Sequence, residues 1–169
     1  PAMQKEGICV GLGCDQPSAK MFDQIYSAST FHAIVPAYQK RMLPPNKPIE
    51  MATIGGAKAL NIEKQTGSLN KGKYADLITI DLTHSNNLFP LNKETLLYNL
   101  SQWGAGTEVN DTMVNGKFLM RNREFVNLDY KNIYREANKY MKNFVKWYEE
   151  KKKNNKEICV YTFKDFEFR

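Results

Sequence analysis

The run Gly7–Gly13, GICVGLG, most narrows what this chain can build. An apolar run without polar alternation, closed by glycine, reads as a strand buried on both faces, as in a parallel sheet. Such a strand has two edges to pair and two apolar faces to cover. It therefore has to sit inside a larger layered structure. Asp15 stands just beyond its C-terminal end.

After Ser18 the pattern turns helical, with Met21, Phe22, Ile25, Tyr26 and Ser29 at helix spacing. The segment Met42-Leu43-Pro44-Pro45-Asn46 breaks it. A second helix is predicted over Pro48–Leu60, with Pro48 in its first turn. Gly55 and Gly56 lie inside that helix, and each costs about 1 kcal/mol relative to alanine. Close packing of a neighbouring element is the natural offset. Gly67 and Gly72 mark turns, and Leu77, Ile78 and Ile80 predict a strand. A short helix is expected over 93–100. Asn115-Gly116 between two apolar runs predicts a hairpin of Thr112–Val114 with Phe118–Met120. Residues 121–124 suggest a further turn toward Phe125 and Val126.

Asp129 is placed to cap a last helix. There Ile133, Ala137, Tyr140, Met141, Phe144 and Tyr148 form one apolar stripe, which reads as a packing face. The tail after Asn155 alternates loosely and suits an edge strand or a mobile end. The net charge of +6 is partly local, in Lys151, Lys152, Lys153 and Lys156. Such a cluster reads as a solvated helix end.

At 169 residues the chain can form one domain with a real core. It has no apolar stretch of membrane-spanning length, and its polar first residues do not resemble a signal peptide. It opens on Pro1, which suits a processed end, an expression scar or a cut through a longer protein. Cys9, Cys14 and Cys159 are odd in number and form no CxxC pair, which favours a reducing, cytoplasmic setting. The sequons at Asn99 and Asn110 then read as chance.

Several chemistries are poorly supported. Gly11-Leu12-Gly13 begins a dinucleotide fingerprint, but Gln16 replaces the third glycine and no acidic residue closes a second strand. Serine or cysteine nucleophiles need a base, and the histidines number two. His32 reads as a packed or surface residue of the first helix, and His84 as a loop residue. Neither belongs to an HxH or HExxH pair, so they do not make a zinc site, which needs three protein ligands. Asp15 is different, because barrel enzymes place catalytic groups at the C-terminal ends of their strands. Its alternative role is to cap the following helix.

The segments Gly67-Ser68-Leu69, Gly72-Lys73 and Ala75-Asp76-Leu77 resemble the GSL–GK–ADL signature of the amidohydrolase superfamily. The closest resemblance is to the branch of chlorohydrolases and the deaminases of guanine, cytosine and adenosine derivatives. Met51–Ile62 is similar to the family's MAT-GGA-AL helix, and Val10–Asp15 to its VGLGTD strand. Val114-Asn115-Gly116-Lys117 resembles its V-G-K hairpin. The resemblance runs over about residues 1–150. It implies an α/β fold: the last strand–helix unit of a TIM barrel, then the C-terminal part of a composite β-sandwich and a C-terminal helix. The corresponding parts are 1–62, 63–128 and 129–169, with residues 7–15 as strand eight and 21–38 as helix eight.

The resemblance also implies that Asp15 binds a divalent metal, zinc or else iron, and helps activate the hydrolytic water. The family's HxH and its other metal-binding histidines are absent here, as are strands one to seven. Cys14-Asp15-Gln16 replaces its TDG, and the following loop is shortened. One strand of eight cannot close a barrel. The expectation is therefore the C-terminal piece of a cytoplasmic hydrolase acting on C–N bonds of a heterocyclic amine. On its own it should be inactive and retain no metal. Its partners would be a small heterocyclic substrate and the remainder of the barrel, or a second copy. No membrane is expected, and nucleic acid is a minor alternative. The main rival is a non-catalytic relative used for assembly or binding.

Overall fold

The structure, a computed structural model, describes residues 2–15, 19–34, 43–83, 88 and 92–154. It divides into two compact units, Pro1–Val126 and Asn127–Arg169.

The first unit joins short helices to one sheet. A short helix α1 (Ala2–Lys5) leads into residues 8–15, which have no regular secondary structure. Helix α2 spans Met21–Ile34 and buries Ile25. The second helical stretch covers 47–59 in three registers: α3 (Lys47–Glu50), a π-helical segment (Met51–Gly55) and α4 (Gly56–Ala59). Helix α5 spans Leu96–Trp103, shifted about three residues from the expected position. It packs against α2, where Leu100 and Ile25 are both buried. Gly104 makes room for this contact, since a Cβ there would lie 2.6 Å from the Phe22 ring.

Strands β1 (Leu77–Ile80), β2 (Val109–Val114), β3 (Lys117–Arg121) and β4 (Glu124–Phe125) form one antiparallel sheet in sequential order. The Asn115-Gly116 turn has φ of 47° and 75°, both positive as a type I′ hairpin requires. Asn122 and Arg123, at φ 50° and 64°, make the same kind of turn between β3 and β4.

The expected strand Gly7–Gly13 is not formed. Residues 8–15 form no regular secondary structure and pair with no strand among the described residues, and Ile8, Gly13, Cys14 and Asp15 are exposed. An apolar strand of this kind is fixed by neighbours on both edges, and the described residues do not supply them.

The expected glycine packing is present. A Cβ on Gly11 would lie 2.8 Å from Gly56 Cα, and one on Gly55 would lie 3.0 Å from the Val10 carbonyl oxygen. The two helical glycines thus let the backbone of 10–11 rest directly on the helix. Asn99, in one of the two sequons, is buried and donates from Nδ2 to the Leu88 carbonyl at 3.0 Å. That burial keeps it from carrying a glycan in the folded chain.

In the second unit, α6 runs from Tyr130 to Asn154. Asp129 caps it as expected, its Oδ1 accepting from the Asn132 N–H at 2.9 Å. The expected stripe lies largely open: Ile133, Tyr140, Met141 and Phe144 are each more than half exposed. Lys151, Lys152 and Lys153 are exposed in the last turn. The tail, with Lys156 and Cys159, lies outside the described residues. No helix among the described residues is long and apolar enough to cross a membrane.

Candidate functional site

The segment 8–15, which ends at Asp15, is held by contacts to the backbone of the helical stretch 47–59. The Leu12 N–H donates to the Met51 carbonyl at 3.1 Å, and Cys9 Sγ donates to the Gly55 carbonyl at 3.5 Å. Both acceptors belong to the π-helical segment, a distortion often found at functional sites. Together with the Gly11–Gly56 contact they fix residues 9–12, and Asp15 follows three residues on, exposed. A carboxylate here can accept a proton or donate an oxygen to a cation brought to it.

The remaining metal-binding groups do not gather around it. Among the described residues, no three His, Cys, Asp or Glu side chains are grouped to hold an ion. Cys9 and Cys14 are exposed free thiols. His84 lies outside the described residues, as does the side chain of His32. One carboxylate does not hold zinc by itself, so the residues described here do not fit a complete metal site. An apolar cleft of about 500 Å³ opens between α2, α5 and the sheet, lined by Phe22, Ile25, Leu77, Ile80 and Leu100 among others. Asp15 is not part of its lining.

The GSL–GK–ADL segment has a structural job that its sequence alone did not reveal. Lys73 Nζ donates to the carbonyls of Glu63 and Thr66 and to Ser68 Oγ. Gly67, at φ +84°, is packed against Ala57 and Ile54 of the glycine-bearing helix. Asp76 accepts from Thr66 Oγ1 and from the Asn115 N–H, both at 2.7 Å, and so ties the segment to the β2–β3 turn. The signature thus clamps the sheet's hairpin to the loop that follows α4. The sequence signal was a lysine directly after the turn glycine Gly72, where backbone carbonyls are left without helix or strand partners.

Three carboxylates have depressed pKa values, and each secures a turn. The Asn115 N–H and then the Thr66 hydroxyl lower that of Asp76. Thr79 and the Asn122 N–H lower that of Asp111. The Thr83 hydroxyl and then Arg123, paired at 3.0 Å, hold Asp81 down to about 2. These shifts are explained by structural partners and do not mark a catalytic group. A depressed pKa stabilises the fold above the unfolded-state value and is lost as pH falls through the folded value. The melting temperature should therefore drop as pH falls from about 4 to about 2. Asp81→Asn should flatten that dependence. A slope unchanged in D81N would show that these turns do not carry it.

Comparison with known proteins sets this architecture in a class. The fold matches a crystal structure of an adenosine deaminase from Xanthomonas campestris with bound zinc, at a TM-score of 0.70 and 24% identity. The match covers 84% of this chain and 32% of that one. Among curated proteins, a 5-methylthioadenosine/S-adenosylhomocysteine deaminase of Thermoanaerobacter pseudethanolicus is 33% identical over 147 residues, 85% of this chain and 33% of its own. An S-triazine hydrolase of Gordonia rubripertincta is 36% identical over 126 residues, 73% of this chain and 26% of its own. The amidohydrolase family profile matches residues 1–119. The chain belongs to the amidohydrolase family. It spans about a third of the length of the curated relatives it matches.

Proposed function

We propose that this chain is the C-terminal third of a cytoplasmic, metal-dependent hydrolase that deaminates a heterocyclic amine, with Asp15 as its contribution to the active site. The observation that carries this reading is the segment 8–15, seated on Gly55 and Gly56, with Asp15 exposed at its end. The names of the relatives point to adenosine derivatives as the first substrate class, with guanine and triazines next. Hydrolytic deamination adds water to a ring carbon and expels ammonia. A carboxylate beside that carbon serves as the proton acceptor. The metal's other ligands come from the rest of the enzyme, because one carboxylate is too few.

The chain alone should bind far less than one zinc per molecule and should not deaminate adenosine, 5′-deoxyadenosine or guanine. Metal analysis and an ammonia-release assay check both points. Stoichiometric, tightly held zinc in this chain alone would contradict the reading. A complete enzyme that binds these substrates without releasing ammonia would favour a non-catalytic relative instead.

A further inference from the structure

The turn Asn115-Gly116 carries a chemistry of its own, independent of any substrate. It is the only Asn-Gly dipeptide in the sequence, and both residues are exposed. Asparagine is thermolabile, because the backbone nitrogen of the next residue can attack its side-chain amide. Glycine leaves that nitrogen unshielded, since it has no side chain to crowd it. Attack by Gly116 N on Asn115 Cγ forms a cyclic imide. The Cγ–Nδ2 bond breaks, and the proton from Gly116 N leaves with the ammonia. Water then opens one of the two imide C–N bonds, which gives aspartate or isoaspartate. One water is consumed, one ammonia is released, and nothing is oxidised or reduced.

The fold restrains this reaction at its attacking atom. The Gly116 N–H donates to the Ala75 carbonyl at 3.1 Å, which holds that nitrogen to another part of the chain. The Asn115 N–H donates to Asp76 Oδ1 at 2.7 Å. Both acceptors belong to the Ala75-Asp76-Leu77 part of the signature, and Thr66 Oγ1 donates to the other Asp76 oxygen at 2.7 Å. Gly116 N attacks only after losing its proton, and the Asp76 carboxylate bound to the turn opposes a second negative charge there. Reaction therefore requires the turn to lift off the signature segment in a local opening.

We propose that Asn115 is a site of spontaneous deamidation, gated by its turn's hydrogen bonds to Ala75 and Asp76. While the two bonds stand, residue 115 persists as asparagine. When they open, the turn is modified, and either product weakens the clamp. Isoaspartate adds a carbon to the backbone of the two-residue turn that sets Val114 opposite Lys117. Aspartate adds a second negative charge to a turn already bound to Asp76. The signature thus protects the hairpin chemically as well as holding it in place.

The test is peptide mass spectrometry of the whole chain during incubation at neutral pH. In urea, Asn115 should convert to aspartate and isoaspartate. In native buffer it should convert about 10-fold more slowly or less, the factor for two typical hydrogen bonds. Asp76→Ala should raise the native rate about 5-fold, the factor for one such bond. Thr79→Val is the control: it removes a hydrogen bond to Asp111 elsewhere in the sheet and should leave the rate unchanged. Circular dichroism checks that the variants are folded. If Asp76→Ala is not, Thr66→Val replaces it, since it releases only the second Asp76 oxygen, and the rate should still rise. Equal rates in native buffer and urea overturn the proposal, as does a chain that converts in neither. So does a folded Asp76→Ala or Thr66→Val that reacts no faster than wild type. An acceleration in Thr79→Val as large as in the clamp variant also overturns it, because global unfolding would then set the rate.

Discussion

Replacing Asp15 by alanine in the complete enzyme should lower the deamination rate by about 10³-fold or more while leaving the melting temperature within a degree or two. The activity loss follows from chemistry: a lost proton acceptor alone costs about 10²–10⁴-fold, and a lost metal oxygen adds to it. The unchanged stability follows from position. Asp15 is exposed, where even a paired carboxylate contributes about 0–1 kcal/mol, and Cys9, Gly11 and Leu12 also seat its segment. Asp15→Asn is the sharper variant, because it keeps the size and one oxygen but cannot accept the proton. If D15N retained a tenth or more of the wild-type kcat, Asp15 would not be part of the site. Zinc content measured in the same samples separates loss of metal from loss of proton transfer.

What was legible in the sequence was what short-range chemistry decides. The Asn115-Gly116 turn needs two positive φ angles and has the residues that adopt them. Asp129 needs to reach only three residues ahead to cap α6. The cost of Gly55 and Gly56 inside a helix implied a neighbour at backbone distance, and residues 10–11 are that neighbour. Features set by distant partners were not legible. The turn over 121–124 was expected and is present, but what holds it was not: Asp111, which accepts from the Asn122 N–H, and the pairing of Arg123 with Asp81. Lys73 reaches carbonyls up to ten residues away, a pattern with no periodicity to read. The run Gly7–Gly13 predicted a buried strand, but a strand needs edge partners, and residues 8–15 find none among the described residues. The site follows the same division. Position singled out Asp15, and no spacing in this sequence could supply the ligands it would share.

Gly67 gives the largest expected change in stability. Gly67→Val should lower the unfolding free energy by about 2–5 kcal/mol, combining a left-handed backbone cost of about 1–2 with overpacking of about 1–3. Its φ of +84° disfavours any side chain. A Cβ there would lie 2.7 Å from Ala57 Cβ and 3.0 Å from Ile54 Cα, and the second of these atoms is backbone that cannot swing aside. Two other glycines separate the contributions. Gly72 shares the left-handed backbone, at φ +90°, but nothing lies within 4 Å of its added Cβ. Gly72→Ala should therefore cost about 1 kcal/mol, from backbone conformation alone. Gly13 has neither a positive φ nor a neighbour within 4 Å, so Gly13→Ala should be close to neutral. Urea unfolding of the three variants gives the order directly. A Gly67→Val change no larger than Gly72→Ala would mean that the signature loop does not press on the 47–59 helix. The close approach that seats Asp15 would then rest on Gly55 and Gly56 alone.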